Sequence, residues 1–400
     1  MHVLIVAGEE LNPNNIFASI FELQQAQALI NCGVTVRILS FRVAPSIFKI
    51  KNIKNFKFLD VLAGFENKLH KIENCDVQET VIISRIPSRF IKNISCLYRR
   101  ASINSIKKYI TRYGTPDLIH AHSRFLIGGL VALEISDKLG IPYIVTEHSS
   151  FFNEDLVNKD DIKKIIIIIN KAKKWIVVSD HLGNTILNLV QNELNKDFVT
   201  IPNIVDNSLF EEQERREESK EFSFLAIGSL DDNKNHSFLI HCFYRTFKNQ
   251  KNIKLKIIGK GPNHSELTLL IKSLRMENQI SLLGHVGRDE IRQSLYNCDC
   301  LVLPSKIETF GVVIIEAMAC GKPVISSKSG GPDSIISEEN GILIDVNNTS
   351  QMCRALEIMV NEIATFDKIR IREYALKNFG QDSFVNKITH IYKEIVGQKV

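Results

Sequence analysis

The chain has 400 residues, 44% of them hydrophobic and 24% charged, with a formal net charge of +5. That length is too great for one compact core and predicts about two domains of an ordinary soluble globular kind. No apolar run approaches the roughly 20 residues that span a bilayer. The eight scattered cysteines contain no C-x-x-C pair, which argues against a disulfide or zinc framework.

The opening MHVLIVAGEE lacks a charged n-region and a cleavage site. It reads as a first strand over 2–7 rather than a signal peptide, and so as a cytosolic protein. A helix over 16–33 closes on Gly33, and TVRILS (35–40) is the next strand. Residues 37–112 hold sixteen Lys and Arg against five acids. This excess is read either as a solvated face or as attraction to an anionic surface such as lipid head groups; no nucleic-acid-binding motif accompanies it. DLIH (117–120), YIVTEH (143–148) and WIVVS (175–179) repeat the β-branched theme, with helices about 124–139, 155–173 and 180–192 between them. The run Ile165–Ile169 is flanked by five lysines and is read as a packed helix. His120 and His122 are read as facing opposite ways from their strand end, where a histidine is usually structural. His236, His241 and His264 are read as loop or helix-surface residues.

EEQERREESKE (211–221) has no apolar residue and reads as a linker or exposed loop. The alternation restarts at FSFLAIG (222–228) and continues through IKLKIIG (253–259), ISLLG (280–284), CLVLP (300–304), PVIS (323–326) and GILID (341–345). The pattern predicts two doubly wound α/β domains, 1–200 and 201–380, with the ligand in the cleft between them. The stretch 380–396 has no strand after it and is free to pack back on the first domain.

The helix expected from Gly311 is apolar all round except for Glu316, and an unpaired buried carboxylate is costly. Its first N–H groups lack intrahelical partners, so a phosphate is well placed there, and Gly311 allows close approach. Glu316, on a stripe with Val312, Ile315 and Ala319, would accept two hydrogen bonds from a ribose diol; pairing with a buried Lys or Arg is the alternative. Gly228 and Ser229 form a tight βα turn, with Lys234 expected to begin the next helix and reach a phosphate. GKGPNH (259–264) adds a second glycine-rich loop at the same edge. A nucleoside diphosphate is the common ligand these loops suggest.

The block PSKIETFGVVIIEAMACGKPVISSKSGGPDSII (304–336) resembles the signature of glycosyltransferase family 4, retaining sugar-nucleotide enzymes with two facing Rossmann-like domains, the GT-B fold. IPNIVDNSLF (201–210), IGSLDDNKNHSFLI (227–240), IIGKGP (257–262), LLGHV (282–286), PDLIHAHS (116–123) and IPYIVTEHSS (141–150) fit in the same order. The resemblance implies that Glu308 contacts donor-sugar hydroxyls and Glu316 holds the ribose. Thr309, Phe310, Gly311 and Val312 would offer backbone near phosphates and sugar, with Gly228, Ser229 and Gly259 beside them. Lys234 would neutralise the departing diphosphate, and His285 and Val286 would meet the nucleobase. His122 would lie near the donor sugar and His148 on the acceptor side. The chain departs from the pattern in its first βα loop, GEELNPNNIF (8–17), which lacks a Gly-Gly pair and leaves Asn14 and Asn15 as acceptor-side candidates. Ser229 stands where a basic residue is common, and Lys260 where an acid is common.

The implied activity is that of a hexosyltransferase-type enzyme. It would move a sugar, with retention, from a UDP- or GDP-linked donor to a hydroxyl of a glycan or lipid-linked acceptor in bacterial surface polysaccharide assembly. No metal cofactor is expected, because Lys234 and the helix N-terminus would carry the leaving-group charge. No residue stands out as a nucleophile, which suits a front-face route assisted by the donor phosphate. A cytoplasmic location is expected from the missing signal peptide and membrane span, and peripheral contact at the inner face of an acidic membrane from the basic stretch. A sugar-nucleotide epimerase, a phosphorylase and a non-catalytic nucleotide-sugar-binding protein remain as alternatives; no pyridoxal-bearing lysine is identifiable for the phosphorylase.

Overall fold

The structure is a computed structural model; it describes residues 1–8, 11, 20–44, 64–83, 94–123, 126–153, 157–191, 193–205 and 221–397. The chain divides into two compact units. The first is Met1–Val178, Gly183–Ile201 and Phe384–Val400; the second is Ser179–Leu182 and Pro202–Ser383.

The first unit contains strands β1 (His2–Val6), β2 (Thr35–Ala44), β3 (Gly64–Ile72), β4 (Cys75–Ile83), β5 (Leu118–Ser123), β6 (Tyr143–Glu147), β7 (Trp175–Val177) and β8 (Phe198–Thr200). Their helices are α1 (Ile20–Asn31), α2 (Ile94–Tyr113), α3 (Ile127–Leu139), α4 (Lys159–Lys171) and α5 (Asp180–Leu189), whose first turn belongs to the second unit. The sheet order is β3-β4-β2-β1-β5-β6-β7-β8, parallel except for β3, which pairs antiparallel with β4. The central strands are buried on both faces, and so read as continuous apolar runs such as HVLIV. The β3–β4 hairpin was not legible beforehand: GFENKLHKI carries alternating charge at an exposed sheet edge, where little apolar surface is needed.

The second unit contains β9 (Phe222–Ile227), β10 (Ile253–Ile258), β11 (Ile280–Gly284), β12 (Cys300–Leu303), β13 (Val324–Ser327) and β14 (Gly341–Ile344). Between and after them run α6 (His236–Phe247), α7 (His264–Ser273), α8 (Arg288–Asn297), α9 (Val312–Ala319), α10 (Thr349–Glu362) and α11 (Lys368–Phe379). The six strands are all parallel, in the order β11-β10-β9-β12-β13-β14. The two expected doubly wound α/β domains are therefore present. The chain ends in α12 (Gln381–Gly397), whose Phe384, Val385, Ile388, Ile391, Tyr392 and Ile395 are buried at helical spacing. The linker expected over 211–221 lies outside the described residues except for Glu221.

Glycine sets how closely the strand ends of the second unit approach. Gly259 N donates to Gly284 O at 2.8 Å, and a Cβ at 259 would lie 1.8 Å from Gly228 O. Any side chain there must displace backbone, a cost on the order of 3 kcal/mol. Gly259→Ala is therefore expected to lower the melting temperature by several degrees and to weaken binding at this edge, as thermal denaturation with and without nucleotide would report.

Candidate active site

In the second unit the strand order reverses between β9 and β12, and the loops leaving these strands meet at their carboxyl ends. This is the switch point at which open α/β sheets bind ligands. Asn233 laces the two loops together: its Nδ2 donates to Ile307 O and its Oδ1 accepts from Ile307 N, both at 3.0 Å. Asn235, left-handed at φ 56°, donates from Nδ2 to Pro304 O at 3.3 Å and to Asn347 Oδ1 at 2.9 Å. The loops are thus fixed by amide side chains, which suit turns because they mimic backbone groups.

Lys234 does not begin α6. It sits in the turn two residues before it, where Asp231 Oδ1 accepts its backbone N–H at 3.0 Å. Its aliphatic stem crosses Gly228, whose missing Cβ would stand 3.2 Å from the lysine Cγ and Cδ. The ammonium ends 2.5 Å from Glu308 Oε2, both side chains being partly buried. Ser229 is exposed and donates to the Asp231 carboxylate. His236, expected on the surface, is 2% exposed: the first turn of α6 packs it inward, and burial followed by the Lys234 charge lowers its pKa to about 4.

Glu308 is held by backbone on both sides. Its N–H donates to Ser329 O at 2.9 Å, and its carbonyl accepts from Gly331 N at 2.8 Å. Gly331 is required there, since a Cβ would meet Phe310 backbone at 2.4 Å. Ser179 Oγ, which belongs to this unit, donates to Thr309 O at 2.6 Å, and Phe310 is buried edge-on to Phe379. Gly311 at φ +92° precedes α9 without a side-chain cap and without an acid in the first turn. The first N–H groups of α9 thus lack both a cap and a neutralising charge.

On α9 the half-open side is Val312, Val313, Glu316 and Cys320. Ile315 and Ala319, expected to share the stripe of Glu316, are buried, whereas Val312, Glu316 and Cys320 are only half-buried, so the open side of the helix lies along the 312/316/320 row. The Glu316 side chain keeps 18% exposure; burial raises its pKa to about 7, with the Arg288 charge opposing. Arg288 Nη2 is 3.9 Å from Glu316 Oε1, an ion-pair distance without a hydrogen bond. Nε and Nη2 of that arginine are buried without hydrogen-bond partners. Both readings of Glu316 thus have a physical counterpart. A cation is near, yet the carboxylate remains open to donors. His285 is exposed and Val286 half-buried in the loop before α8.

The first unit has its own switch point, between β1 and β5. The β1 loop candidates Asn14 and Asn15 lie outside the described residues. At the end of β5, His120 and His122 do not face opposite ways. Their ring centroids are 4.3 Å apart, because residues two apart in a strand share a face. Both are buried, at 1% and 0% exposure. His122 Nδ1 is 2.9 Å from Nε2 of His148, with the rings stacked at 5.2 Å. Among the described residues no group of three or more His, Cys, Asp or Glu has metal-holding geometry.

Known proteins agree with this architecture. Residues 23–209 match the family model Glycosyltransferase Family 4, and residues 208–374 match Glycosyl transferases group 1. The chain belongs to glycosyltransferase family 4. It is 29% identical over 324 residues to an uncharacterized glycosyltransferase of Methanocaldococcus jannaschii, covering 79% of this chain and 86% of that one. Over 240 residues it is 28% identical to the N-acetylgalactosamine-N,N'-diacetylbacillosaminyl-diphospho-undecaprenol 4-alpha-N-acetylgalactosaminyltransferase of Campylobacter jejuni, covering 54% of this chain and 63% of that enzyme. The fold matches Anabaena HepE in complex with UDP at a TM-score of 0.72 and 18% identity, over 98% of this chain and 100% of the other.

For this glycosyltransferase, sequence reasoning missed Arg288. The only signal was a basic residue opening a helix directly after the GHV loop. It also missed Ser179, whose bond to Thr309 joins residues 130 apart in the chain. The raised pKa of Glu316 has a stability consequence. Between pH 4.5, its ordinary value, and about 7, the folded chain keeps a proton that the unfolded chain releases, so stability falls as pH rises through this window. Glu316→Gln removes that titration. Its melting temperature should exceed wild type by more at pH 8 than at pH 5, a difference on the order of 2 kcal/mol, measurable by calorimetry at both pH values.

Proposed function

We propose that this glycosyltransferase moves a hexosyl group, with retention, from a UDP- or GDP-linked sugar to a hydroxyl of a glycan or lipid-linked acceptor. The observation that carries the reading is the convergence of the Lys234–Glu308 pair and the uncapped α9 N-terminus at Gly311 on one switch point. A diphosphate seated at α9 meets unpaired N–H groups and the positive end of the helix dipole. It also draws Lys234 away from Glu308, freeing that carboxylate to accept donor-sugar hydroxyls. As the glycosidic bond breaks, negative charge grows on the diphosphate, and Lys234 with the α9 amides stabilises it electrostatically. These charges make the reaction metal-independent in this reading.

Glu316, held between apolar neighbours, accepts the ribose diol. Thr309, Phe310, Gly311 and Val312 line the phosphates and sugar, Gly228, Ser229 and Gly259 lie beside them, and His285 and Val286 border the base. His122 contacts the donor sugar and His148 the acceptor side. The UDP bound to HepE and the diphospho-undecaprenol named in the Campylobacter enzyme favour a uridine nucleotide and a lipid-linked acceptor, in bacterial surface polysaccharide assembly. The exposed Arg99, Arg100, Lys107, Lys108 and Arg112 of α2 support peripheral contact with the acidic inner face of a membrane. No helix among the described residues is long and apolar enough to cross one.

A thermal-shift screen of nucleoside diphosphates and their sugars should give one base a distinct stabilisation. With the donor so named, Lys234→Ala and Glu316→Ala should each cut turnover about a hundredfold. Near-normal rates in both would sink the site assignment, and conversion of donor without acceptor would mark an epimerase instead. Sedimentation with anionic vesicles at physiological salt should retain the protein, and a loss of binding on neutralising the α2 cations checks the membrane contact.

A further inference from the structure

The histidines of the first unit do not stand alone. Tyr392 of α12 reaches His120, with its hydroxyl 2.6 Å from Nδ1, while His120 Nε2 lies 2.7 Å from Thr146 Oγ1. Both Tyr392 and His120 are sealed from solvent, at 0% and 1% exposure. The His122 ring rests against that of His120 and bonds on its other side to His148. His122 Nε2 is buried without a hydrogen-bond partner.

We propose that Tyr392 and His120 are positioning residues for His122: together they fix the ring on which His122 rests, and so leave His122 Nε2 as an unshared acceptor for a ligand hydroxyl. This rests on the reading of His122 as a donor-sugar contact.

The argument is one of hydrogen-bond balance. A neutral imidazole offers one donor and one acceptor. If His120 Nδ1 carried the hydrogen, the phenolic hydrogen of Tyr392 would be left sealed and unpaired, at a cost of about 1–3 kcal/mol. The hydroxyl therefore donates to Nδ1, and Nε2–H donates to Thr146. For His122 the bond to His148 has two possible directions: with the hydrogen on His122 Nδ1, Nε2 keeps a bare lone pair, and with it on His148 Nε2, His122 Nε2 carries a buried N–H. The first direction is the one proposed, in which a ligand hydroxyl completes His122 Nε2. Burial, reinforced by the neighbouring imidazoles, depresses protonation of both rings, His120 to about 3, so neither becomes a cation in the usual range. The backbone is equally constrained: a Cβ on Gly128 of α3 would meet His122 O at 2.1 Å. With the backbone pinned beneath it and the ring pinned beside it, His122 presents one nitrogen in one orientation. Since His122 is fully buried, the ligand reaches it only when the residues covering it shift.

The test uses the full chain with 15N-labelled histidine, in wild type, Tyr392→Phe and Thr146→Val. The wild type should show His120 protonated at Nε2 and His122 at Nδ1. Tyr392→Phe keeps the ring but loses the hydroxyl; it should mix the His120 tautomers and broaden the His122 signals. Thr146→Val attacks the same bond chain from its other end and should do likewise, which guards against misfolding of either variant alone. Turnover of UDP-glucose, UDP-galactose and UDP-N-acetylglucosamine should fall about tenfold in kcat with donor KM changed less than about twofold. A wild-type spectrum with His122 protonated at Nε2, or histidine signals unmoved in both variants, overturns the proposal whether or not any of these donors is used. If His122→Asn leaves kcat intact, the donor-contact reading fails by itself; if it abolishes kcat while Tyr392→Phe changes neither kcat nor spectra, only the positioning role fails.

Discussion

The second unit depends on tolerating one carboxylate inside an apolar helix. VVIIEAMA buries Ile314, Ile315, Ala317, Met318 and Ala319, and Glu316 must share that helix. Burial raises its pKa to about 7, and Arg288 at 3.9 Å offsets this only in part. A pair optimised for stability would close to a hydrogen bond, because an unpaired buried donor costs more than a typical bond is worth net. Among the described residues both partners are left incomplete, the acid without a hydrogen-bond donor and the guanidinium with two sealed nitrogens, Nε and Nη2. Such incompleteness is the pattern expected of groups arranged for a ligand rather than for each other.

Backbone fixes the rest of this edge. Gly259 and Gly331 allow strand ends and loops to approach within distances that a Cβ would forbid, and Asn233 and Asn235 cross-link the loops of β9 and β12. The chemistry-bearing side chains, Lys234 and Glu308, then hang from loops with little freedom. Rigid loops at a parallel-sheet switch point supply position, and a few polar side chains supply charge.

Much of this was legible in the sequence because parallel sheets write themselves plainly. Strands buried on both faces appear as short β-branched runs, and the helices between them carry their own period. The apolar helix with one acid stood out for the same reason. What escaped were features set by tertiary contact. The β3–β4 hairpin lies at a sheet edge, where polarity hides a strand. Arg288 looked like any helix-start arginine until α9 was seen beside it. His236 looked like a surface residue until α6 turned it inward. The relation of His120 to His122 was misjudged although it follows from strand geometry alone: a period of two places alternate residues on one face. Asn14 and Asn15 lie outside the described residues.

The Lys234–Glu308 contact explains how the site can hold cation and acid together before any anion arrives. A lone lysine at this edge would add to the positive end of α9, and like charges so close would repel. Paired with Glu308, the lysine is locally neutralised and held over Gly228 with its stem packed. In the proposed reading a diphosphate, with more negative charge than one carboxylate and with the α9 amides also open to it, would outcompete Glu308 for the ammonium without needing a new residue. Such an exchange would leave Glu308 as an acceptor beside the proposed anion. There it is stable only if neutral donors, such as sugar hydroxyls, complete its hydrogen bonds. On that proposal the pair would couple two recognitions: an anion without hydroxyls beside it would strand a carboxylate, and hydroxyls without the anion would leave the carboxylate occupied by lysine.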